Sequence, residues 1–443
     1  MYKNKFIRIT LILAVVIIVL LVSVFGYLKY RQYISYKLGV HKNAALIFRI
    51  NADQIYTKLF NDYLSNSAYY KNHNKYLDLN TGLKIPANVF IYNISDKSFD
   101  TFFCLMPVAN LENLKFFLKN KLKVNAIAGQ EPGFNFATSS DNKITVAYND
   151  QRVAIAYSFK KEAVVQVLIQ MLKGEHILQF DDRRLSGLRV SKADVAYTCA
   201  QYEGIGNFDD GKITFDGDFS SKYLKSNHGS LSRRKFSRSA PLKMWLNIDL
   251  SRLPFDKIQF KNAKLNMDSL IKYKIGYADL EVDGHIKQLD TVITYDYNED
   301  FEKVENATTK EVFVPNVVFS LSSDAPPLAK HLNREHIIGD NGTFNKTLFP
   351  LYDIYRFAET DEFKLSTSKE VISSTEREET PYFFGLEMNF GFFSGKSSSL
   401  SLKKIGALKS LTIFAKEKNN DANRFEAILQ FKQSNINGLI QLF

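Results

Sequence analysis

Few residues in this sequence have the types and spacing that catalysis or phosphate binding requires. The stretch from Gly391 to Ser397 contains the glycine, lysine and serine of a phosphate-binding loop. Such a loop needs four residues between its glycines to wrap phosphates with successive backbone N–H groups, and here there are three. Gly204 and Gly206 are not followed by a third glycine at Asp209 or by a helix pattern, so they do not indicate dinucleotide binding either.

The histidines and cysteines show no spacing that is typical of a metal site. His331 and His336 are five residues apart, which places them on different faces of a helix. Cys104 and Cys199 have no Cys or His neighbour at ligand spacing. An oxidising compartment would permit a disulfide between them, and two buried thiols are the alternative. With no recognised catalytic motif, we predict no metal, no cofactor and no enzymatic activity.

One stretch, residues 220–243, is basic, rich in serine and free of acidic residues. We predict that it connects two domains or forms a long exposed loop. Because no acid cancels its positive charges, they can add to attract an anionic surface; a simple soluble linker is the alternative. The candidate contact residues are Lys222, Lys225, Arg233, Arg234, Lys235 and Arg238.

A second stretch, residues 382–393, is unusually aromatic and reads as a strand with Phe on both faces. Such a strand is either buried on both sides or lines an apolar groove. Core is the simpler interpretation, and a groove for a lipid or a protein partner is the functional one. The candidate groove residues are Phe383, Phe384, Phe390, Phe392 and Phe393.

The longest apolar element is an uncharged run over residues 9–28. Its roughly twenty residues match the length that an α-helix needs to cross a hydrocarbon core of about 30 Å. Because the run lacks a small-x-small cleavage pattern at its end, we predict an uncleaved transmembrane helix; a cleaved secretory signal is the alternative. A short basic N-terminal tail stays inside more easily than a large domain. This predicts a single-pass protein of the bacterial inner membrane, with its C-terminal domains in the periplasm.

The rest of the chain alternates strand and helix patterns, which predicts an α+β fold. Asn51 is a helix N-cap candidate with Gln54 three residues later. Alternating residues over 144–157 predict a hairpin, and Gly174 is placed to end a helix. The Asp-Gly pair at 283–284 predicts a second hairpin turn.

These elements suit a membrane helix followed by two antiparallel-sheet domains with packed helices. About 400 residues after the helix are enough for two domains of ordinary size, and an apolar content of 45% is ample for their cores. We predict a cytoplasmic tail (1–8), a transmembrane helix (9–28), a juxtamembrane segment (29–42), a first domain (43–219), the basic linker (220–243) and a second domain (244–443).

By layout alone, the chain resembles bacterial single-pass envelope proteins of unknown function that have tandem strand-and-helix domains. The resemblance implies an envelope location and transfers no functional residue. The formal net charge of +11 is scattered, and a domain outside the cytoplasm would not meet nucleic acid. We predict a non-enzymatic scaffold or partner-binding protein, with the membrane and an envelope protein as partners and an open oligomeric state. A carrier of a lipid or other hydrophobic ligand is the first alternative, and an unrecognised enzyme is the second.

Overall fold

A computed structural model describes residues 2–73, 80–127, 131–220, 224–225, 231–253, 256–261, 263–297, 303–370, 374–393, 406–419 and 422–442. The chain divides into two compact units, one up to Asp210 and the other comprising Gly211–Leu442. The sequence places the connection between domains later, at 220–243. That the predicted domains fold independently stays a prediction.

The first unit contains six helices and nine strands within its described residues. The helices are α1 (Tyr2–Tyr36), α2 (Ala52–Ser65), α3 (Ser67–His73), α4 (Leu111–Asn120), α5 (Val165–Lys173) and α6 (Ser186–Val190). The strands are β1 (Ala44–Asn51), β2 (Asn88–Ile94), β3 (Thr101–Pro107), β4 (Val124–Ile127), β5 (Asn135–Ser139), β6 (Ile144–Tyr148), β7 (Arg152–Ser158), β8 (Val195–Cys199) and β9 (Tyr202–Asp209).

The strands of the first unit pair antiparallel in the order β4-β5-β6-β7-β3-β2-β1-β8-β9. Side chains of β3 show how both faces of this sheet are used. Phe103 and Leu105 belong to a core that includes residues of α5, whereas Cys104 and Met106 belong to a core that includes residues of α4. Because successive side chains of a strand point to opposite faces, the sheet is covered on both sides.

Several local predictions for this unit are confirmed. The Asn51 side chain accepts a hydrogen bond from the Gln54 backbone N–H at 3.2 Å and so caps α2. Strands β6 and β7 form the predicted hairpin. Gly174 has a φ of 72° and ends α5 in the left-handed conformation that glycine adopts without strain.

The predicted transmembrane helix is wrong. Helix α1 continues beyond the apolar run to Tyr36. Over residues 18–36 it is not long and apolar enough to cross a membrane, and no other helix in the described part of the chain is. Within these residues the apolar stretch ends at Leu28, because Lys29 and Arg31 follow it, and charged side chains are costly inside a hydrocarbon core. The predictions of an integral single-pass protein and of an inner-membrane, periplasmic location depended on this helix and are wrong with it.

The second unit has more and longer strands. They are β10 (Lys212–Ser220), β11 (Ser232–Arg234), β12 (Leu242–Asn247), β13 (Lys257–Phe260), β14 (Ala263–Asn266), β15 (Tyr277–Tyr297), β16 (Lys303–Ser322), β17 (Tyr355–Ala358), β18 (Glu362–Ser366), β19 (Arg377–Glu379), β20 (Phe384–Asn389), β21 (Leu408–Asn419) and β22 (Ala422–Phe431). Its helices are short: α7 (Met267–Ile271), α8 (Ala325–Arg334), α9 (Phe390–Phe393) and α10 (Gly438–Gln441).

The main sheet of the second unit is also antiparallel, in the order β10-β22-β21-β20-β12-β15-β16-β18-β17. The pairs β11–β19 and β13–β14 form two small separate sheets. At the centre, Trp245 of β12 is opposite Gly385 of β20. A Cβ at Gly385 would lie 2.2 Å from the indole ring, so only glycine leaves room for it.

Strands β15 and β16 form a long hairpin. Their register runs from Tyr277 opposite Ser322 to Tyr297 opposite Lys303. The predicted turn at Asp283-Gly284 is wrong, because the pair lies at an irregularity within the continuous strand β15. Gly284 has a φ of 75° there, a left-handed conformation that glycine adopts without strain.

The predicted α+β class is also wrong, because the structure is mostly antiparallel sheet with 43% strand and 25% helix. Strand pairing overrides the local pattern at the start of β16. Polar residues 303–311 form part of β16 because β15 pairs with them along their whole length. Leu250–Arg252, after β12, form a single 3-10 turn, which Asp249 caps by accepting the Ser251 N–H at 3.0 Å.

Candidate ligand-binding site

A cavity of about 990 Å³ lies within the first unit, between the end of α1, the junction of β1 with α2, and the end of α6. We call it the basic cavity. Its lining residues are Phe25, Leu28, Lys29, Arg31, Gln32, Tyr33, Tyr36, Arg49, Asn51, Asp53, Gln54, Tyr56, Thr57, Ile85, Phe180, Arg189, Val190, Ser191 and Lys192.

The last turn of α1 is fixed on the sheet by polar contacts. Ser35 and Tyr36 are buried. The Asn88 side-chain amide on β2 donates to Gln32 Oε1 at 2.7 Å and to Ser35 Oγ at 2.8 Å. The Tyr36 ring packs edge-on against Phe90 at 5.2 Å between centroids. The α1 side of the cavity is therefore anchored to the sheet core.

Arg49 of β1 holds the opposite side. Its side chain is 2% exposed. The guanidinium donates to the backbone carbonyls of Leu188 at 2.7 Å, Ser191 at 2.8 Å and Ala193 at 2.7 Å. The carbonyls at the end of a helix have no partner within the helix, and a cation stabilises them. Arg49 thus fixes the end of α6 and the segment after it, which form one wall.

Positive charge dominates the lining of this cavity. Lys29, Arg31, Arg49, Arg189 and Lys192 line it together with one carboxylate, that of Asp53. Arg31 Nη2 donates to this carboxylate at 2.8 Å. The partners of the Arg49 guanidinium are neutral carbonyls, so its charge is stabilised but not cancelled. The cavity therefore favours negative charge.

The lining also contains more buried donors than acceptors without a partner. Within the described residues, three buried nitrogens here lack a hydrogen bond, namely Nε of Arg31, Nε of Arg49 and Nη1 of Arg189. Among the described lining residues, Oδ2 of Asp53 is the buried side-chain oxygen that lacks a hydrogen bond. A buried donor without a partner costs about 1–3 kcal/mol. These nitrogens are buried from water, so a ligand in the cavity would meet the positive charge of the guanidinium groups rather than these atoms themselves.

Aromatic side chains line the same cavity. Tyr33 packs edge-on against Phe180 at 5.2 Å, and the Arg189 guanidinium lies 4.8 Å from the Phe180 ring centroid. Phe25 is 62% exposed and Val190 is 81% exposed. Apolar side chains so exposed, beside a cationic wall, form an amphipathic site.

Tyr36 keeps its proton in this environment. Burial raises the pKa of its phenol, and the nearby charge of Arg49 only partly offsets this. The hydroxyl donates to the Leu188 carbonyl at 3.1 Å. It therefore supports the same wall as Arg49 rather than acting as a base.

The basic stretch predicted from sequence lies in the second unit, where acids meet three of its cations. Arg234 is 2% exposed, with Nη2 at 2.6 Å from Asp279 and Nη1 at 2.6 Å from Glu281. Lys235 pairs with Glu376 at 2.8 Å at the surface. Burial raises the pKa of Asp279, and the hydrogen bond from Arg234 opposes that shift. Burial would lower the pKa of Arg234, but the two carboxylates more than reverse this and raise it.

The other members of the predicted set differ in their surroundings. Arg233 pairs with Glu378 at 2.8 Å and lies 4.3 Å from the Trp245 ring centroid. Arg238 is exposed, and the half-buried Lys225 accepts the Asp249 N–H at its backbone carbonyl. Lys222 lies outside the described residues. Contact of this set with an anionic surface stays a prediction.

The five predicted groove residues are not all alike. Phe383 is 1% exposed and belongs to a core with Ile248, and Phe390 is 8% exposed. Phe384, Phe392 and Phe393 are half-buried. Phe392 stacks on His285 at 4.5 Å and contacts Phe393 at 5.1 Å. The structure thus brings Phe392 and Phe393 together and places Phe383 in a core.

The remaining sequence candidates show no shared site. His331 is buried and its Nδ1 lies 2.7 Å from Arg334. Residues 394–397 of the glycine-lysine-serine stretch lie outside the described residues. Cys104 and Cys199 are free thiols, and burial raises the pKa of Cys104 to about 12. In the part of the chain that is described, no group of three or more His, Cys, Asp or Glu could hold a metal ion.

Sequence reasoning missed the basic cavity because its residues are far apart along the chain. Arg49 and the carbonyl of Leu188 are separated by 139 positions. One signal was present: Arg49 interrupts the apolar strand pattern of residues 44–50 at a position that the strand buries. A charged residue at a buried position needs specific partners.

No protein family and no curated protein matches the sequence. Structures of TP0453 in three crystal forms are similar to this chain. Form I has 10% identity and a TM-score of 0.24 over 75% of this chain and 91% of that chain. Form III has 9% identity and a TM-score of 0.25 over the same shares of the two chains. Form IV has 8% identity and a TM-score of 0.24 over 73% of this chain and 87% of that chain. Similarity at this level supports no conclusion about fold or function.

Proposed function

We propose that this chain is a non-enzymatic binding protein and that the basic cavity is its ligand site. The observation that carries the proposal is the combination, in one cavity of about 990 Å³, of cationic side chains and exposed aromatic rings. Pockets of this size, with a few polar groups beside apolar surface, are typical of sites for small molecules. The groups in this lining bind and orient a ligand.

The test is calorimetric titration of the full chain with three decyl compounds below their micelle concentrations: decyl phosphate, decyl maltoside and decyltrimethylammonium. We expect at least one to bind and to be recovered unchanged by mass spectrometry. The variant Val190→Trp should abolish that binding by filling the cavity. Ile205→Trp, a matched change at an exposed position of β9 outside the lining, should not.

Absence of binding by all three compounds would refute the proposal. Equal binding by Val190→Trp and the natural chain would also refute it, because the ligand would then lie elsewhere. Conversion of a bound compound into a product would favour an enzyme instead.

A second candidate function, binding of a protein partner, is favoured by the hairpin of β15 and β16. Leu289 is 67% exposed and Phe313 is 72% exposed. Their register places them on one face of the hairpin, where Lys287 is opposite Phe313. Exposed apolar residues on an extended hairpin suit pairing with a second copy of the chain.

The measurement is sedimentation velocity over a range of concentrations. We expect the natural chain to self-associate and the double variant Leu289→Ser, Phe313→Ser to remain monomeric. Leu351→Ser, at another 67% exposed position, is the matched control. A natural chain that stays monomeric at every concentration would exclude this candidate.

A further inference from the structure

The two ends of the basic cavity differ in chemical character, and this difference indicates the chemical class of its ligand. Along α1, the lining begins with Phe25 and Leu28, which are 62% and 43% exposed, and ends with the buried Tyr36. This distance is about 16 Å along the helix axis. Apolar surface therefore lies at one end of the cavity, and the other end lies against the sheet.

Four of the five lining cations lie near the sheet end, and Lys29 lies at the other end, 5.5 Å from the Phe25 ring centroid. Arg31 is held by Asp53 at the junction of β1 with α2, and Arg49 is held by carbonyls at the end of α6. Arg189 and Lys192 flank the same end of α6. An anion there would meet several positive charges in surroundings that are partly shielded from water, where their attraction is stronger than at an open surface.

We infer that the ligand is an anionic amphiphile, a molecule with one phosphate or carboxylate group joined to an apolar chain. The anionic group lies against Arg31, Arg189 and Lys192, and the apolar chain lies against Phe25, Leu28 and Tyr33. This inference rests on the proposed function, since it names the ligand class of the same cavity.

Two simpler ligands fit the lining less well. An inorganic anion would leave Phe25 and Val190 exposed to water, so their apolar surface would contribute nothing to binding. A neutral amphiphile would cover that surface but would leave the cations of the lining without a counter-charge. An amphiphile with a cationic headgroup would meet like charges.

The experiment compares five probes by calorimetric titration of the full chain: decyl phosphate, decanoate, decyl maltoside, decyltrimethylammonium and inorganic phosphate. We expect both anionic amphiphiles to bind about tenfold or more tightly than decyl maltoside, which is the size of effect that hydrogen bonds to charged groups produce. Decyltrimethylammonium and inorganic phosphate should bind most weakly.

Two variants test where the anionic group lies. Arg189→Gln and Lys192→Gln should each weaken decyl phosphate binding about tenfold and leave decyl maltoside binding unchanged. Lys119→Gln removes the same charge from an exposed position of α4 and should change neither affinity. Circular dichroism and thermal melting check that each variant is folded, so lost affinity is assigned to the site.

The outcomes separate this inference from the proposed function. Equal affinity for decyl maltoside and decyl phosphate, with both lost in Val190→Trp, would overturn the anionic class and leave the cavity as a binding site. Inorganic phosphate binding as tightly as decyl phosphate would overturn the amphiphile and leave an anion site. Decyl phosphate binding that is insensitive to both Arg189→Gln and Lys192→Gln would overturn the placement of the anion.

Discussion

The basic cavity of the first unit and the basic stretch of the second each contain one fully buried arginine, and the partners of the two arginines differ. Arg49 donates to three backbone carbonyls, whereas Arg234 donates to the carboxylates of Asp279 and Glu281. Carbonyls stabilise a guanidinium without cancelling its charge, while two carboxylates more than cancel it.

This difference shows why an acid-free run of sequence is a poor guide to an anion site. The basic stretch has no acid within residues 220–243, yet Arg233, Arg234 and Lys235 all meet carboxylates from later parts of the chain. The cations of the cavity are scattered along the chain and meet one carboxylate, Asp53. The charge that a ligand meets depends on the folded surroundings.

The largest effect is expected at Arg234. Arg234→Met leaves two buried carboxylates without a cation and should lower the free energy of unfolding by about 3–5 kcal/mol. Urea denaturation followed by circular dichroism measures this. The triple variant Arg234→Met, Asp279→Leu, Glu281→Leu removes all three charges of this cluster and should recover most of the loss. If the single variant were as stable as the natural chain, another group would have to stabilise the negative charges of the buried carboxylates.

Arg49 should come second. Arg49→Met removes three hydrogen bonds to the end of α6, and loss of such charge-assisted bonds should cost about 2–3 kcal/mol. Arg49→Lys keeps the charge but cannot reach three carbonyls in the same fork, so an intermediate loss is expected. Urea denaturation gives both values. A loss below that of Arg233→Gln would contradict the structural role given to Arg49.

Arg233 and Arg189 form a matched pair with smaller effects on stability. Arg233→Gln loses two half-exposed ion pairs and the contact with the Trp245 ring, which should cost about 1 kcal/mol. Arg189→Gln loses the contact with the Phe180 ring but no ion pair within the described part of the chain, so it should cost about 0.5 kcal/mol. A larger destabilisation by Arg189→Gln than by Arg233→Gln would show that Arg189 is structural.

The smallest effect concerns pH and is confined to the first unit. His41 is 4% exposed, and its Nδ1 accepts the Asn43 N–H at 3.2 Å. Burial lowers its pKa below 6.5; the nearby His176 and Lys42 also lower it, and Gln170 and Asp96 oppose this. Below pH 6.5 the unfolded chain binds a proton that the folded chain does not. Stability should therefore fall as the pH decreases through this range.

Thermal melting between about pH 7.5 and pH 5 measures this dependence. His41→Asn keeps an acceptor near the position of Nδ1 and cannot titrate, so its melting temperature should change less with pH. An unchanged pH dependence in this variant would assign the effect to another group.

Short-range features of the fold were predictable from sequence and long-range ones were not. The Asn51 cap and the β6–β7 hairpin depend on residues a few positions apart, so their local signals were sufficient. The Asp283-Gly284 pair gave a strong turn signal, but pairing with β16 on both sides made it a bulge. The basic cavity depends on contacts such as that of Arg49 with Leu188, which no local pattern encodes.

Trp245, which packs against Gly385, gives the two units different fluorescence properties. Trp245 is the sole tryptophan of the chain, it is fully buried, and it belongs to the second unit. Intrinsic tryptophan fluorescence therefore reports on the second unit alone, while circular dichroism reports on both. If the units unfold separately, Arg234→Met will shift the fluorescence transition and Arg49→Met will leave it in place. Comparing the two signals in one titration would then assign each stability change to its own unit without cutting the chain.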